Sequence, residues 1–159
     1  MSMDASFFKP FIEGTLNTFK VQCKTSATHE APFFKGTKPQ PDFAIAGVIG
    51  ITSAKFTGTI TLCFPEKVFL GMMERMLDEK FAVLTDELQD GVAEMLNIIF
   101  GHAKVILNQQ GHTIQKAIPT VIRGDKIHTS HLSASKVVVL SFVTDLGTFQ
   151  IEICSEVSL

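Results

Sequence analysis

Thr85-Asp-Glu-Leu-Gln-Asp90-Gly-Val-Ala-Glu94-Met-Leu-Asn97-Ile-Ile-Phe-Gly101-His-Ala-Lys104-Val-Ile-Leu-Asn108-Gln-Gln110-Gly111 is the stretch around which the fold is read. At about 100° per residue, Leu88, Val92, Met95, Leu96, Ile99, Ala103, Ile106 and Leu107 share an arc of about 120°, the pattern of a helix lying on a core. Thr85 reads as its N-cap, Asp86 and Glu87 suit the positive end of its dipole, and Gly111 reads as its stop. Asp90, Glu94, Asn97, Gly101, Lys104 and Asn108 fall on the opposite side. Glu94 and Asn97, three apart, therefore point together into solvent from a rigid rod. Gly101 costs the helix roughly 1 kcal/mol against alanine. Its bare backbone lets another surface approach closely.

Around this helix the chain divides into recognisable elements. Phe7, Phe8, Phe11, Ile12, Leu16 and Phe19 recur at helical spacing, predicting an amphipathic helix over about 5–22 whose first turn holds Pro10. Three prolines and a glycine between Ser26 and Pro41 limit that stretch to a connection with one short edge strand. Phe43 to Ile51 is apolar at both alternating sets of positions, which predicts a strand covered on both faces. Phe56 to Phe64 alternates apolar residues with Thr57, Thr59, Thr61 and Cys63, predicting a half-buried strand that closes a hairpin through Thr52-Ser53-Ala54-Lys55.

Pro65 opens a helix to about Leu77, with Val68, Phe69, Met72, Met73 and Met76 as its apolar side. Methionines at this spacing fill a core far more often than they bind a cofactor. Beyond the long helix, Ile114–Ile122 reads as a strand bent at Pro119 and Arg123–Ser135 as a polar loop. A final hairpin takes in Lys136–Thr144, a turn at Asp145-Leu146-Gly147, and Thr148–Cys154. The expected architecture is α+β, helices packed on a largely antiparallel β-sheet, in a single domain spanning 1–159.

Composition narrows the functional classes. The 159 residues are 45% hydrophobic and 19% charged, with mean hydropathy +0.26, which excludes an intrinsically disordered chain. Fourteen Lys and Arg against 16 Asp and Glu leave no basic surplus, so no nucleic-acid partner is expected. Neither a signal peptide nor a run of 18 apolar residues is evident, and no membrane association is expected. Cys23, Cys63 and Cys154 are odd in number and form no C-x-x-C, consistent with buried thiols in a reducing cytoplasm. His128 and His131 share a loop without a third metal ligand. No phosphate-binding glycine loop, dinucleotide fingerprint or nucleophile elbow occurs. The apolar composition suggests that a second subunit covers part of the surface.

The run Asp90-x-x-x-Glu94-x-x-Asn97, with Gly101, Lys104 and Gly111 behind it and Ala117-Ile118-Pro119-Thr120-Val121-Ile122 beyond, resembles the CheX branch of the CheC/CheX/FliY family of chemotaxis phosphatases. Lys9-Pro10-Phe11-Ile12-Glu13-Gly14-Thr15 and Gly47-Val48-Ile49-Gly50 are similar to it as well, so the likeness covers nearly the whole chain. The resemblance implies hydrolysis of the aspartyl phosphate on a CheY-like response regulator, a two-component signalling role. It makes Asn97 the residue that positions the attacking water and Glu94 the anchor for a lysine of the receiver. Asp90, Gly101 and Lys104 would lie in the contact with the partner. It implies no cofactor of the protein's own, Mg²⁺ being supplied by the receiver, and a homodimer joined through sheet edges. His102 stands where relatives often carry a second glycine. Glu13 and Asn17, four apart, lack the Glu-x-x-Asn spacing of a second site, which leaves one site per subunit. A receiver-binding adaptor without catalysis would use the same helix face.

Overall fold

The computed structural model describes residues 5–53, 56–115, 118–129 and 137–155. In chain order these form α1 (Ala5–Cys23), β1 (Thr28–His29), β2 (Phe33–Phe34), β3 (Phe43–Thr52), β4 (Thr57–Phe64), α2 (Glu66–Leu77), α3 (Asp86–Gln109), β5 (Thr120–Ile127), β6 (Val137–Thr144) and β7 (Gly147–Ser155). Every strand pairing among them is antiparallel. The sheet runs β1-β6-β7-β4-β3-β5, with β2 also pairing β6. The three helices lie on one face of it, the expected α+β arrangement.

Alternation along the strands sends Ile45, Ile49, Ile51, Ile60, Leu62, Phe64, Leu140, Phe142, Phe149, Ile151 and Ile153 to the helix side. There Phe149 gathers Phe19, Phe64 and Phe142 with ring centroids 4.6, 4.9 and 5.2 Å away, a cluster that fixes how α1 lies over β4, β6 and β7. α3 rests on β3 at Gly47, where an added β-carbon would meet Val92 and Leu96 at ordinary van der Waals distance. α1 runs antiparallel beside α3. Gly14 faces the Ile99 carbonyl and His102, while the Phe7 ring lies 5.6 Å from that of His112.

The far face of the sheet is also largely covered, against the expectation of a half-buried β4. Thr61, Cys63, Ser141, Gln150 and Glu152 are each no more than 3% exposed. The cover comes from residues remote in sequence. Lys35 donates to Thr129 and to Glu152, and Gln40 Nε2 donates to Gln150 and Glu152 at 3.1 and 3.2 Å. Thr129 Oγ1 donates to Glu152 Oε1 at 2.5 Å. A carboxylate taken out of water needs such partners. β3 is covered on both sides only through Gly47, beyond which Gly50 and Thr52 are exposed.

Three further differences have local causes. The expected strand over Ile114–Ile122 lies later, at Thr120–Ile127, so residues 123–127 of the expected loop are strand. As the outermost strand, β5 is exposed along most of its length and carries no apolar alternation to betray it. Ile114 is instead buried and fastened to α3, its N–H donating to Asn108 Oδ1 at 2.6 Å and its carbonyl accepting from Asn108 Nδ2 at 3.2 Å. The connection after α1 holds two short strands rather than one. Pro10 is the sixth described residue of α1, beyond its first turn. Lys136, His131 and most of the expected 123–135 loop beyond Thr129 lie outside the described residues.

Candidate functional site

The candidate site is the outer face of α3. Its N-cap is Thr85, whose hydroxyl accepts from the Leu88 N–H at 3.3 Å, and its first turn is acidic through Asp86 and Glu87. Leu88, Val92, Met95, Leu96, Ile99, Ala103 and Leu107 are buried as the spacing required, and Ile106 is half-buried. Gly91 and Phe100 are buried as well, on opposite flanks of the helix. Met73 and Phe69 of α2 pack against Gly91. With the sheet and α1 packed along α3 and α2 against Gly91, one outer strip of α3 is left exposed among the described residues.

Asp90, Glu94, Asn97, Gly101 and Asn108 all lie on that strip and are exposed, while Lys104 is half-buried. Among the described residues, neither Glu94 nor Asn97 has a hydrogen bond or ion pair. The carboxylate and the carboxamide thus leave the helix one turn apart, both fully available to a partner. A β-carbon built on Gly101 meets nothing within 4 Å. The absence of a side chain there serves no packing need inside the molecule, and it keeps the surface beside Asn97 low. Asn108 has a different task, since both ends of its amide hold Ile114.

His102, at the position where the resemblance departs, is half-buried and abuts Gly14 of α1, so it belongs to the helix–helix contact. Glu13 and Asn17 sit on the exposed face of α1, and Glu13 pairs with Lys9 at 3.9 Å. His128 is exposed. Among the described residues, no group of three or more His, Cys, Asp or Glu side chains is placed to hold a metal ion.

The three cysteines are buried. Burial pushes the Cys23 thiol up to about 11 against a smaller opposing influence of Arg75. Burial first and the Glu152 carboxylate second push Cys63 up, with Lys35 opposing. A raised thiol pKa means little thiolate at neutral pH, which removes Cys23 and Cys63 as nucleophiles.

Sequence reasoning left some of this surface unread. Ile98 and Val105 are exposed apolar residues on the same outer strip, at 37% and 60%. The available signal was their position off the core arc. Arg123, assigned to a loop, reaches from β5 to Asp86 Oδ1 and Gln89 Oε1 at 3.0 and 3.2 Å, tying the outermost strand to the start of α3. No helix among the described residues is long and apolar enough to cross a membrane.

Three helices packed on one face of an antiparallel sheet define a CheC-like architecture. A CheC-like superfamily protein from Shewanella sp. PV-4 is 29% identical, with a TM-score of 0.89 over 98% of this chain and 100% of that one. The family model for chemotaxis phosphatase CheX matches residues 45–143, and the chain belongs to that family. The chemotaxis protein CheX of Vibrio vulnificus is likewise 29% identical, with a TM-score of 0.87 over 96% of this chain and 100% of that one. The CheX of a CheX–CheY–BeF₃–Mg²⁺ complex from Borrelia burgdorferi, 18% identical, shares the fold with a TM-score of 0.77 over 95% of this chain and 98% of that one. No curated protein sequence matches the chain significantly.

Proposed function

We propose that this protein hydrolyses the aspartyl phosphate of a CheY-like receiver domain. The observation that carries the reading is the free Glu94–Asn97 pair on the outer strip of α3 in a member of the CheX family. An acyl phosphate is already reactive. Catalysis needs a water held in line with the phosphorus and charge stabilisation around the transferring group, not a nucleophile on the phosphatase. In this reading the Asn97 amide enters the receiver's site and orients that water. The water oxygen bonds to phosphorus, the bond from phosphorus to the aspartate oxygen breaks, and inorganic phosphate leaves with the receiver's carboxylate restored.

Glu94 pairs with a receiver lysine and fixes the angle of approach. Asp90, Gly101 and Lys104 lie under the docked partner. Mg²⁺ remains a component of the receiver, so the phosphatase supplies neither metal nor cofactor. The whole of 1–159 acts as one cytoplasmic domain, and two copies pair through a sheet edge. The long exposed edge of β5 suits that pairing, and sedimentation at micromolar concentration tests it.

The decisive experiment follows phosphate release from a phosphorylated CheY-type receiver. Acceleration over the receiver's own rate, lowered about 10² to 10³-fold by Asn97→Ala with the fold intact, is the expected result. Binding of the receiver without any acceleration would instead identify an adaptor.

A further inference from the structure

Most exposed large apolar residues are scattered over the surface, but two stand beside the polar pair. Ile98 and Val105 lie about 40° and about 20° round α3 from Glu94, on the side away from Asn97 and about 10 Å apart along the axis. They are 37% and 60% exposed. A third is brought to them by helix packing. Since α1 is antiparallel to α3 and Gly14 lies opposite Ile99 and His102, Val21, seven residues further along α1, arrives at the level of Glu94. Val21 is 62% exposed. Its helical position, about 20° from that of Gly14, puts it on the rim of α1 that faces α3.

We infer that Val21, Ile98 and Val105 form the apolar half of the receiver-docking surface, with Glu94 and Asn97 as its polar half. The inference rests on the phosphatase reading and names what binds the substrate protein there. The occupant is the receiver domain itself, through aliphatic side chains rimming its phosphorylation site. Three observations select it over a second copy of this chain. The strip is continuous with Glu94, so whatever covers it also covers the proposed catalytic pair. Gly101 leaves open space at the centre of the same face, which suits a protruding partner. With Asp86 neutralised by Arg123, Glu87, Asp90 and Glu94 against Lys104 still leave the face acidic, which complements a receiver's lysine and would repel an identical face. Interfaces of this kind gain affinity from apolar anchors packed around a polar centre.

The test uses the full chain with two probes, a phosphorylated CheY-type receiver for turnover and the same receiver loaded with Mg²⁺ and beryllofluoride for binding. Val105→Asp and the milder pair Ile98→Thr with Val105→Ser are expected to raise KM about tenfold, keep kcat within about twofold and weaken binding by the factor seen in KM. Their thermal melting should match the parent. Asn97→Ala should do the reverse, lowering kcat while the loaded receiver still binds.

Unchanged KM and binding in both strip variants, with the parent active, would overturn the inference and leave the phosphatase reading standing. So would strip variants that dissolve self-association of this chain while the receiver binds as before. A parent that binds the receiver through the strip but hydrolyses nothing would uphold the docking surface and refute the phosphatase.

Discussion

Gly14 of α1 lies so close to Ile99 of α3 that a β-carbon at the glycine would stand 3.2 Å from the Ile99 carbonyl oxygen and 3.2 Å from His102 Cδ2. The backbone of α3 cannot yield there without disturbing the turn between Asn97 and Gly101. Gly14→Val is therefore expected to destabilise the protein by about 1–3 kcal/mol through overpacking, read as a lower melting temperature. On the proposed function, receiver dephosphorylation should fall further than stability alone explains, because the separated helices shift the outer strip.

Gly101 should behave in the opposite way. With nothing within 4 Å of its would-be β-carbon, Gly101→Ala removes a helix-weakening residue and should stabilise the fold by roughly 1 kcal/mol. On the proposed function, receiver dephosphorylation should nonetheless drop, and drop further with leucine, since the new side chain fills the space proposed for the partner. Parallel melting and turnover measurements on the two variants check both halves of the expectation.

Ion pairs here divide by burial. Lys35 and Glu152 are 3.1 Å apart with side-chain exposures of 21% and 1%, whereas Lys9 and Glu13 are 3.9 Å apart at 75% and 49%. Lys35→Met strands a carboxylate inside the protein and should cost about 3 kcal/mol or more. Lys9→Gln should cost less than about 0.5 kcal/mol. Denaturant titration of both variants measures the contrast.

Asp145, in the turn between β6 and β7, accepts from both terminal nitrogens of Arg75 at 2.9 and 2.6 Å, and this pairing holds its carboxyl below the usual value. A carboxylate lowered in the folded state contributes stability above its unfolded pKa and loses it as pH falls through the folded one. Acid melting should therefore lose part of its pH dependence below about pH 4 in Asp145→Asn. The effect is small, because the pair is open to solvent.

The thiols give a simple chemical test of the interior. Cys23, Cys63 and Cys154 are buried, and the first two are pushed towards the protonated form. A disulfide reagent at pH 8 should label none of them in the native protein within minutes and all three after unfolding.

The helices and the buried strands were legible because each carries its own periodic signal. The α3 core arc, its Thr85 cap and the outward pair of Glu94 and Asn97 follow from spacing within one helix, whereas the roles proposed for that pair rest on family resemblance. The far face of the sheet was not legible. Thr61 and Cys63 look half-exposed within β4, but Cys63 is buried in a small cluster with Phe43, Ala46 and Ile127, while Lys35, Gln40 and Thr129, brought from distant segments, hold Gln150 and Glu152 on the same face. β5 escaped notice for a related reason, as an outermost strand takes its hydrogen bonds from β3 and needs no hydrophobic alternation of its own. The apolar strip beside the site was hidden too, since three residues on two helices become neighbours only once those helices pack.

The strand order sets a timetable for biosynthesis. β7 is the latest of the strands in chain order, yet it lies between β4 and β6 at the middle of the sheet and carries both Phe149 and Glu152. On a ribosome, α3 and its outer face are made long before the sheet that must support them can be completed. A polypeptide stalled before residue 147 would thus expose the apolar sides of β4 and β6, making it a client for chaperones and proteases rather than a partially functional protein.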